Sequence, residues 1–214
     1  SELLAGQDSL GDVLQRAGYV TAIVGKYHLG AQFYEKGSTQ FAGAGDPDDA
    51  VDFSRAMSDG PAQHGFDYSF IAMRGIQEGP YAFFENGLLY GNPAQLINWN
   101  AGDYGDTRIL ADGIGLPDWV TREVGPTLLA KSRGFISAHQ QAQTSTAEPK
   151  PFFLFLNTGG VHEPRKPPVS IGDRMVLGKS VIGARGDMLL ETDAIVERLL
   201  LDLEQRGLLQ DTLV

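Results

Sequence analysis

Two side chains suited to an anion follow a short apolar segment near the N-terminus. Residues 19–24 form a β-branched run typical of a buried strand, and Gly25 follows it. If the extended conformation continues past Gly25, Lys26 and His28 face the same side, because side chains alternate along a strand. An ammonium and an imidazole placed together suit an anionic ligand. The alternative interpretation is a solvated lysine beside a packed histidine.

A second group of polar residues follows another apolar segment, at 152–156. His162 comes soon after it, in a loop that three prolines stiffen. A rigid loop positions a side chain with little loss of entropy. Arg165 and Lys166 add two cations to this loop, as ligands or as plain surface charges.

These two groups meet if both segments are strands of one sheet. Ligands in open α/β sheets bind beyond the carboxyl ends of the strands. Lys26, His28 and His162 would then surround one anion, with lysine as a point charge and histidine able to bind the anion or transfer a proton. The sequence shows no nucleophile to complete this set, and spacing supports no Ser-His-Asp arrangement.

The periodicity of apolar residues predicts the elements that must position these side chains. Helices are expected at 9–18, 117–140 (with a break or kink at Gly125-Pro126) and 188–207, and strands at 19–24, 152–156 and from 211 onward. Residues 30–115 are expected to be rich in loops, with a small helix near 46–57 and a hairpin over 82–90 that turns at Asn86-Gly87. This alternation predicts an α/β fold, with a mostly parallel sheet and helices on both faces.

Composition limits the classes of partner. The 214 residues carry a net charge of −10, which disfavours nucleic acid and anionic membranes. A cationic pocket in so acidic a protein indicates a small anion as ligand. There is no cysteine, no apolar run long enough to span a membrane and no signal-peptide pattern at the N-terminus.

Other features fit structural roles better than chemical ones. The acidic run at 46–49 lacks the glycine of a calcium-binding EF-hand loop, and the glycine pairs at 43–45 and 113–115 complete no dinucleotide motif. His64 and His139 are expected to be structural. The remaining candidates either stack on a sugar or aryl group or pack in the core, and they are Tyr81, Phe83, Trp99 and Tyr104.

Residues 9–30 closely resemble the sulfatase signature, a short helix ending in Ala-Gly-Tyr followed by Gly-Lys-Trp-His-Leu-Gly. This sequence has Gly25-Lys26-Tyr27-His28-Leu29-Gly30, with Tyr27 in place of the usual tryptophan. Further blocks follow in the order of that family: His64-Gly65-Phe66-Asp67, then 151–156 with His162-Glu163-Pro164 and Pro167-Pro168, then 193–214. Val161 replaces the proline common before the family's histidine.

The resemblance implies an alkaline-phosphatase-like fold, a formylglycine nucleophile and one divalent metal, usually calcium. It implies that Lys26 holds the sulfate oxygens and the formylglycine, that His28 assists turnover of the sulfated formylglycine hydrate, and that His162 binds sulfate and aids protonation of the leaving group. Asp67 and Asp193 match family positions where structural roles are expected. The implied substrate is a small sulfate ester, such as a sulfated sugar or an aryl sulfate.

The resemblance also implies that residues 1–214 are part of a catalytic domain, truncated at both ends, with 31–116 as a loop-rich region. The nucleophile and the metal ligands would lie outside it, so we expect the chain alone to be inactive. The usual location of proteins in that family suggests a periplasmic or secreted protein. Two alternatives stay open: a phosphodiester or phosphonate-ester hydrolase of the same superfamily, and a non-catalytic protein that retains the fold.

Overall fold

The computed structural model describes residues 3, 6–43, 47–102 and 110–214. The helices are α1 (Leu10–Arg16), α2 (Val124–Gln143) and α3 (Ala184–Gln205), and the strands are β1 (Val20–Lys26), β2 (Tyr34–Glu35), β3 (Val51–Asp52), β4 (Tyr68–Ala72), β5 (Phe84–Glu85), β6 (Leu88–Leu89), β7 (Ile97–Trp99), β8 (Gly113–Gly115), β9 (Phe152–Asn157), β10 (Ser170–Ile171) and β11 (Arg174–Met175).

Five strands form the central sheet, in the order β6-β5-β4-β1-β9. β1 lies between β4 and β9 and is parallel to both, while the β5–β6 hairpin adds two antiparallel strands at the β4 edge. The mostly parallel α/β sheet predicted from the sequence is therefore present. Its three parallel strands all end at the same edge, which brings together the loops that follow Lys26, Ala72 and Asn157.

Side-chain alternation along β1 divides the core into two layers. Ala22 and Val24 face α2 and α3, in clusters that also contain Leu128, Ile136 and Leu203. Ile23 faces the opposite layer, which the segment from 27 to 116 largely supplies. Helix α1 adjoins that second layer, because Gly11 lies against the backbone of the 64–65 turn and the ring of Phe66.

The boundaries of several elements differ from those expected. β1 continues through Gly25 to Lys26 instead of stopping at the glycine. α2 begins at Val124, after a 3₁₀ turn, so Pro126 lies in its first turn, where a proline removes no helical hydrogen bond. The helix therefore has no break at Gly125-Pro126.

Two predicted elements are wrong. A 3₁₀ turn at Asp48–Ala50 and the short strand β3 replace the helix expected near 46–57, of which Asp46 lies outside the described residues. A 3₁₀ turn at Leu209–Asp211 and irregular chain replace the strand expected from 211, and Leu213 is fully exposed. A strand requires a neighbour to pair with, and apolar residues alone do not supply one.

The other predicted elements are present. α1, α3 and β9 occupy the expected segments, and the β5–β6 hairpin turns at Asn86-Gly87, whose φ angles of +49° and +85° suit a tight hairpin turn. The apolar face predicted for α1 is nevertheless open, since Leu10 and Val13 are both about half exposed. No helix within the described residues has the length and apolar character needed to cross a membrane.

Candidate active site

The end of β1 places Lys26 and His28 at the carboxyl edge of the sheet. Lys26 is the last residue of the strand and half buried, and the side-chain amide of Asn157 in β9 donates to its carbonyl oxygen over 2.9 Å. The backbone N–H of His28 donates to the carbonyl oxygen of Met73, 2.8 Å away, so the chain still lies against the end of β4. The exit of β1 is therefore tied to both neighbouring strands.

His28 does not continue the strand conformation on which the predicted alternation depended. Its φ angle is +47°, in the left-handed region that non-glycine residues adopt rarely. Strand alternation therefore does not place Lys26 and His28 on one side, as the sequence predicted, because the strand ends at Lys26. The two side chains are still close enough to interact, as the electrostatics of His28 show.

His28 is exposed, but partial desolvation at the end of the strand and neighbouring charges both act on it. Desolvation lowers the pKa of its imidazole below the usual value of 6.5, and the positive charge of Lys26 lowers it further. Arg74 acts in the same direction, while the carboxylate of Glu78 opposes both. His28 is thus predominantly neutral near pH 7 and can accept a proton.

Tyr27, between these two residues, has a structural role. It is only 3% exposed and packs in the core layer formed by the 27–116 segment. Burial raises the pKa of its phenol to about 12, with smaller contributions from Asp59 and Asp12. The phenol therefore stays neutral, and the ring is part of the core.

The third predicted residue, His162, follows the neighbouring strand β9. Its backbone N–H donates to the carbonyl oxygen of Gly159 over 2.9 Å, and its ring Nδ1 lies 2.8 Å from the carbonyl oxygen of Glu163. Because a carbonyl oxygen only accepts, Nδ1 carries the hydrogen, which leaves Nε2 for an external ligand. The side chain is exposed, so Nε2 is accessible.

The two nearby cations of this loop behave differently from His162. Arg165 forms a 2.6 Å ion pair with Glu163, in which both side chains are more than 40% exposed. That geometry is typical of a surface charge. Lys166 is half buried beside the prolines.

Residues of the loop after β4 reach the same edge, and the sequence had given them no role. Ile76 lies against Gly159 at the end of β9, so this loop crosses over the end of β1. It places Arg74, which is exposed, within electrostatic reach of His28, and Gln77, which is buried, on the side of Gly75 that the Lys26 side chain also covers. In the sequence, this loop was indicated only by the short apolar segment that ends before Arg74-Gly75. That segment shows where the loop begins but not that the loop crosses the end of β1.

The polar residues expected to be structural have structural contacts. Asp67 Oδ2 accepts from the backbone N–H of Thr21 over 2.9 Å, and its Oδ1 accepts from Gln15 over 2.7 Å. Asp193 forms an ion pair with Arg174. These carboxylates are therefore occupied within the fold.

The two other histidines are likewise held by protein groups. His64 Nε2 lies 3.2 Å from a carboxylate oxygen of Asp59. His139 packs against the rings of Phe135 and Phe152, and its burial lowers the pKa of the imidazole.

The aromatic candidates favour the core. Tyr81 is fully buried, Phe83 packs on Phe70 and Trp119, and the indole N–H of Trp99 donates to the carbonyl oxygen of Leu116. Tyr104 lies outside the described residues. Of the glycine pairs, Gly113–Gly115 is simply strand β8.

A metal site does not assemble from the part of the chain that the structure describes. Nowhere among those residues do three or more His, Asp or Glu side chains gather as ligands. The calcium that the family resemblance implies therefore has no fitting ligand set in these residues.

The sequence model of the family described as Sulfatase matches residues 1–214, the whole chain. The chain belongs to the sulfatase family. A curated sulfatase relative, the N-acetylgalactosamine-6-O-sulfatase of Bacteroides thetaiotaomicron, is 26% identical over 236 residues, which cover 96% of this chain and 41% of the relative.

Solved structures of similar proteins share the fold of this sulfatase chain. One, a Bacteroides thetaiotaomicron protein from a core genetic locus for the metabolism of multiple glycosaminoglycans, matches with a TM-score of 0.72 at 23% identity, over 96% of this chain and 44% of that protein. The PsFucS1 sulfatase of Pseudoalteromonas sp. matches with a TM-score of 0.51 at 17% identity, over 97% and 38%. The predicted alkaline-phosphatase-like fold is confirmed, and the sulfatase chain spans less than half the length of these relatives.

Proposed function

We propose that this chain is part of the catalytic domain of a sulfatase that hydrolyses a sulfate ester through a formylglycine nucleophile. The observation that carries the proposal is the placement of Lys26, His28 and His162 after adjacent parallel strands, in a chain of the sulfatase family. The hydrate of a formylglycine would supply the hydroxyl that attacks sulfur. The chain has no cysteine and no Ser-x-Pro-Ser-Arg motif, so we place this residue, with the calcium ligands, elsewhere in the parent protein.

The roles of the three residues follow from their chemistry. Lys26 provides a positive charge for the sulfate oxygens, because its ammonium is a compact donor suited to such anions. His28, neutral near pH 7, accepts a proton at the same edge of the sheet. His162 presents Nε2, which in its protonated form donates to a sulfate or leaving-group oxygen.

The substrate we propose is a sulfated sugar, in keeping with the N-acetylgalactosamine-6-O-sulfatase that the chain resembles over nearly all of its length. An aryl sulfate stays as the simpler alternative. The acidic net charge of the chain favours neither nucleic acid nor an anionic membrane as a partner.

Substitutions in the full-length parent protein test these roles. We expect Lys26→Met, His28→Ala and His162→Ala each to lower kcat/KM for a sulfate ester by about 100-fold or more, because each removes a transition-state contact or a proton carrier. Lys36→Met, an exposed lysine in the loop after β2, is the matched control and should leave the rate unchanged. Full activity in all three variants would refute the proposal.

A further inference from the structure

The loop after β4 contains a buried amide whose oxygen has no hydrogen bond. Gln77 is 8% exposed, and no group in the described part of the chain donates to its Oε1. A buried polar atom without a partner is unfavourable, and native proteins rarely keep one without a reason. A donor within reach of this oxygen would remove that cost.

The candidate donor is the side chain of Lys26. A Cβ built on Gly75 would lie 2.9 Å from Gln77 Oε1 and 3.1 Å from Lys26 Cδ, so both side chains cover the same side of Gly75. Glycine is required there, because its φ angle is +77° and because the two side chains fill the space of a Cβ. The lysine stem and the amide oxygen thus border the same small space beside Gly75.

The ammonium of Lys26 is a donor that has no partner among the residues that the structure describes. The only hydrogen bond of Lys26 to a side chain is at its carbonyl oxygen, and the described residues provide no hydrogen bond or ion pair to its Nζ. Nζ is two bonds beyond the Cδ atom that borders this space beside Gly75. A rotation within the lysine side chain therefore carries a free donor toward a free acceptor.

We propose that Gln77 is a positioning residue for Lys26, its Oε1 accepting a hydrogen bond from Nζ and so directing the ammonium toward the bound anion. An ammonium has three hydrogens, so two remain for sulfate oxygens. A neutral amide suits this task, because a carboxylate would cancel the charge that attracts the anion. The role at the anion rests on the proposed function, whereas the contact between Gln77 and Lys26 does not depend on it.

The contact is tested by NMR of the ¹⁵N-lysine-labelled 214-residue chain, with the Lys26 signal assigned by its loss in Lys26→Arg. We expect Gln77→Met, which keeps the length and removes the acceptor, to speed exchange of the Lys26 ammonium hydrogens at least threefold. Gln95→Met, at an exposed glutamine, is the control and should change nothing. Equal exchange rates in the unsubstituted 214-residue chain and in Gln77→Met would overturn the proposal.

Titration with inorganic sulfate separates this proposal from the proposed function. We expect Gln77→Met to weaken sulfate binding about fivefold, the effect of one lost hydrogen bond. If the unsubstituted chain binds no sulfate while exchange still differs, the contact stands and the anion-binding function of this chain fails. If Gln77→Met does not fold, Gln77→Glu decides: a carboxylate accepts from an ammonium more strongly than an amide does, so exchange slower than in the unsubstituted chain supports the contact, and equal or faster exchange refutes it.

Discussion

At the scale of single residues, the candidate site depends on charges that influence one another across strand ends. Burial and then Lys26 lower the pKa of His28, and Arg74 adds to this while Glu78 opposes it. The lowered pKa favours the neutral imidazole in the protein without a bound anion. An anion bound beside Lys26 would offset the positive charges and raise that pKa again.

This coupling predicts a measurable change on substitution. In Lys26→Met the pKa of His28 should rise, because a positive charge that disfavours the imidazolium has been removed. A pH titration of the His28 ring signals by NMR measures it. Lys36→Met is the control, and an unchanged His28 pKa in Lys26→Met would show that the two side chains do not interact.

The sequence indicates a residue's position in the fold where that residue follows a recognisable strand, and not where it lies in an irregular loop. The placement of Lys26, His28 and His162 at one sheet edge could be predicted, because each follows an apolar run that ends in glycine or asparagine and parallel strands end at one edge. Gln77 could not, because an uncharged amide in an irregular loop carries no periodic signal. Its importance arises only because the loop crosses the end of β1 and reaches Gly159.

At the scale of elements, the pairing of β1 with β9 depends on Gly25. Its φ angle is +119°, and a Cβ there would overlap the carbonyl oxygen of Asn157, its partner across the two strands. We expect Gly25→Ala to lower the free energy of unfolding by about 3 kcal/mol or more, through both strain and overlap. Urea denaturation measures this change.

The control for this substitution is Gly134, in the middle of α2. A Cβ at Gly134 meets nothing within 4 Å, and the position is helical. Gly134→Ala should therefore raise the free energy of unfolding by about 0.5–1 kcal/mol, since alanine is the better helix former. Equal effects at the two positions would contradict the strand geometry.

The packing of α2 against α3 contains a second unusual group, Glu191. It is 7% exposed, lies against Gly125 and has no hydrogen-bond partner among the described residues. Burial raises the pKa of its carboxyl from 4.5 to about 8. The folded protein therefore holds the neutral acid, whereas the unfolded chain ionises above pH 4.5.

The contribution of Glu191 to the free energy of unfolding should therefore decrease as the pH rises. The contribution of neutral Glu191 is complete below pH 4.5 and is lost as the pH rises toward about 8, on the order of 4 kcal/mol in all. Glu191→Gln should remove this part of the pH dependence and raise the free energy of unfolding at pH 8. Glu204→Gln, at an exposed glutamate of the same helix, is the control, and parallel pH profiles for all three proteins would contradict the assignment.

Elements were predictable where local pattern and tertiary pairing agree. The hairpin at Asn86-Gly87 and helix α3 are of this kind, because turn chemistry and an apolar stripe specify them locally. The strand expected from 211 failed, and the apolar residues of α1 stayed exposed, because both depend on a neighbour that periodicity does not identify. Helix α2 begins at Val124 and not near 117 for a third reason: a helix accommodates a proline in its first turn, and Pro126 lies there.

At the scale of the whole molecule, the chain combines a net charge of −10 with a local concentration of cations at one sheet edge. The cations Lys26 and Arg74 lie there with the imidazoles of His28 and His162, among loops held by three parallel strands. Such an arrangement attracts a small anion to one place while the remaining surface repels polyanions. The family assignment and the fold agree with this division.

The central claim is that this cationic edge belongs to a sulfate-ester hydrolase, and product analysis of the full-length parent protein tests it most directly. The protein is incubated with N-acetylgalactosamine 6-sulfate, with 4-nitrophenyl sulfate and with bis(4-nitrophenyl) phosphate, and released sulfate and nitrophenol are quantified. The 214-residue chain is assayed beside it. The account predicts sulfate release by the full-length protein, loss of that release in Lys26→Met, and no turnover by the 214-residue chain. Hydrolysis of the phosphodiester alone, or sulfate release that Lys26→Met leaves unchanged, would contradict it.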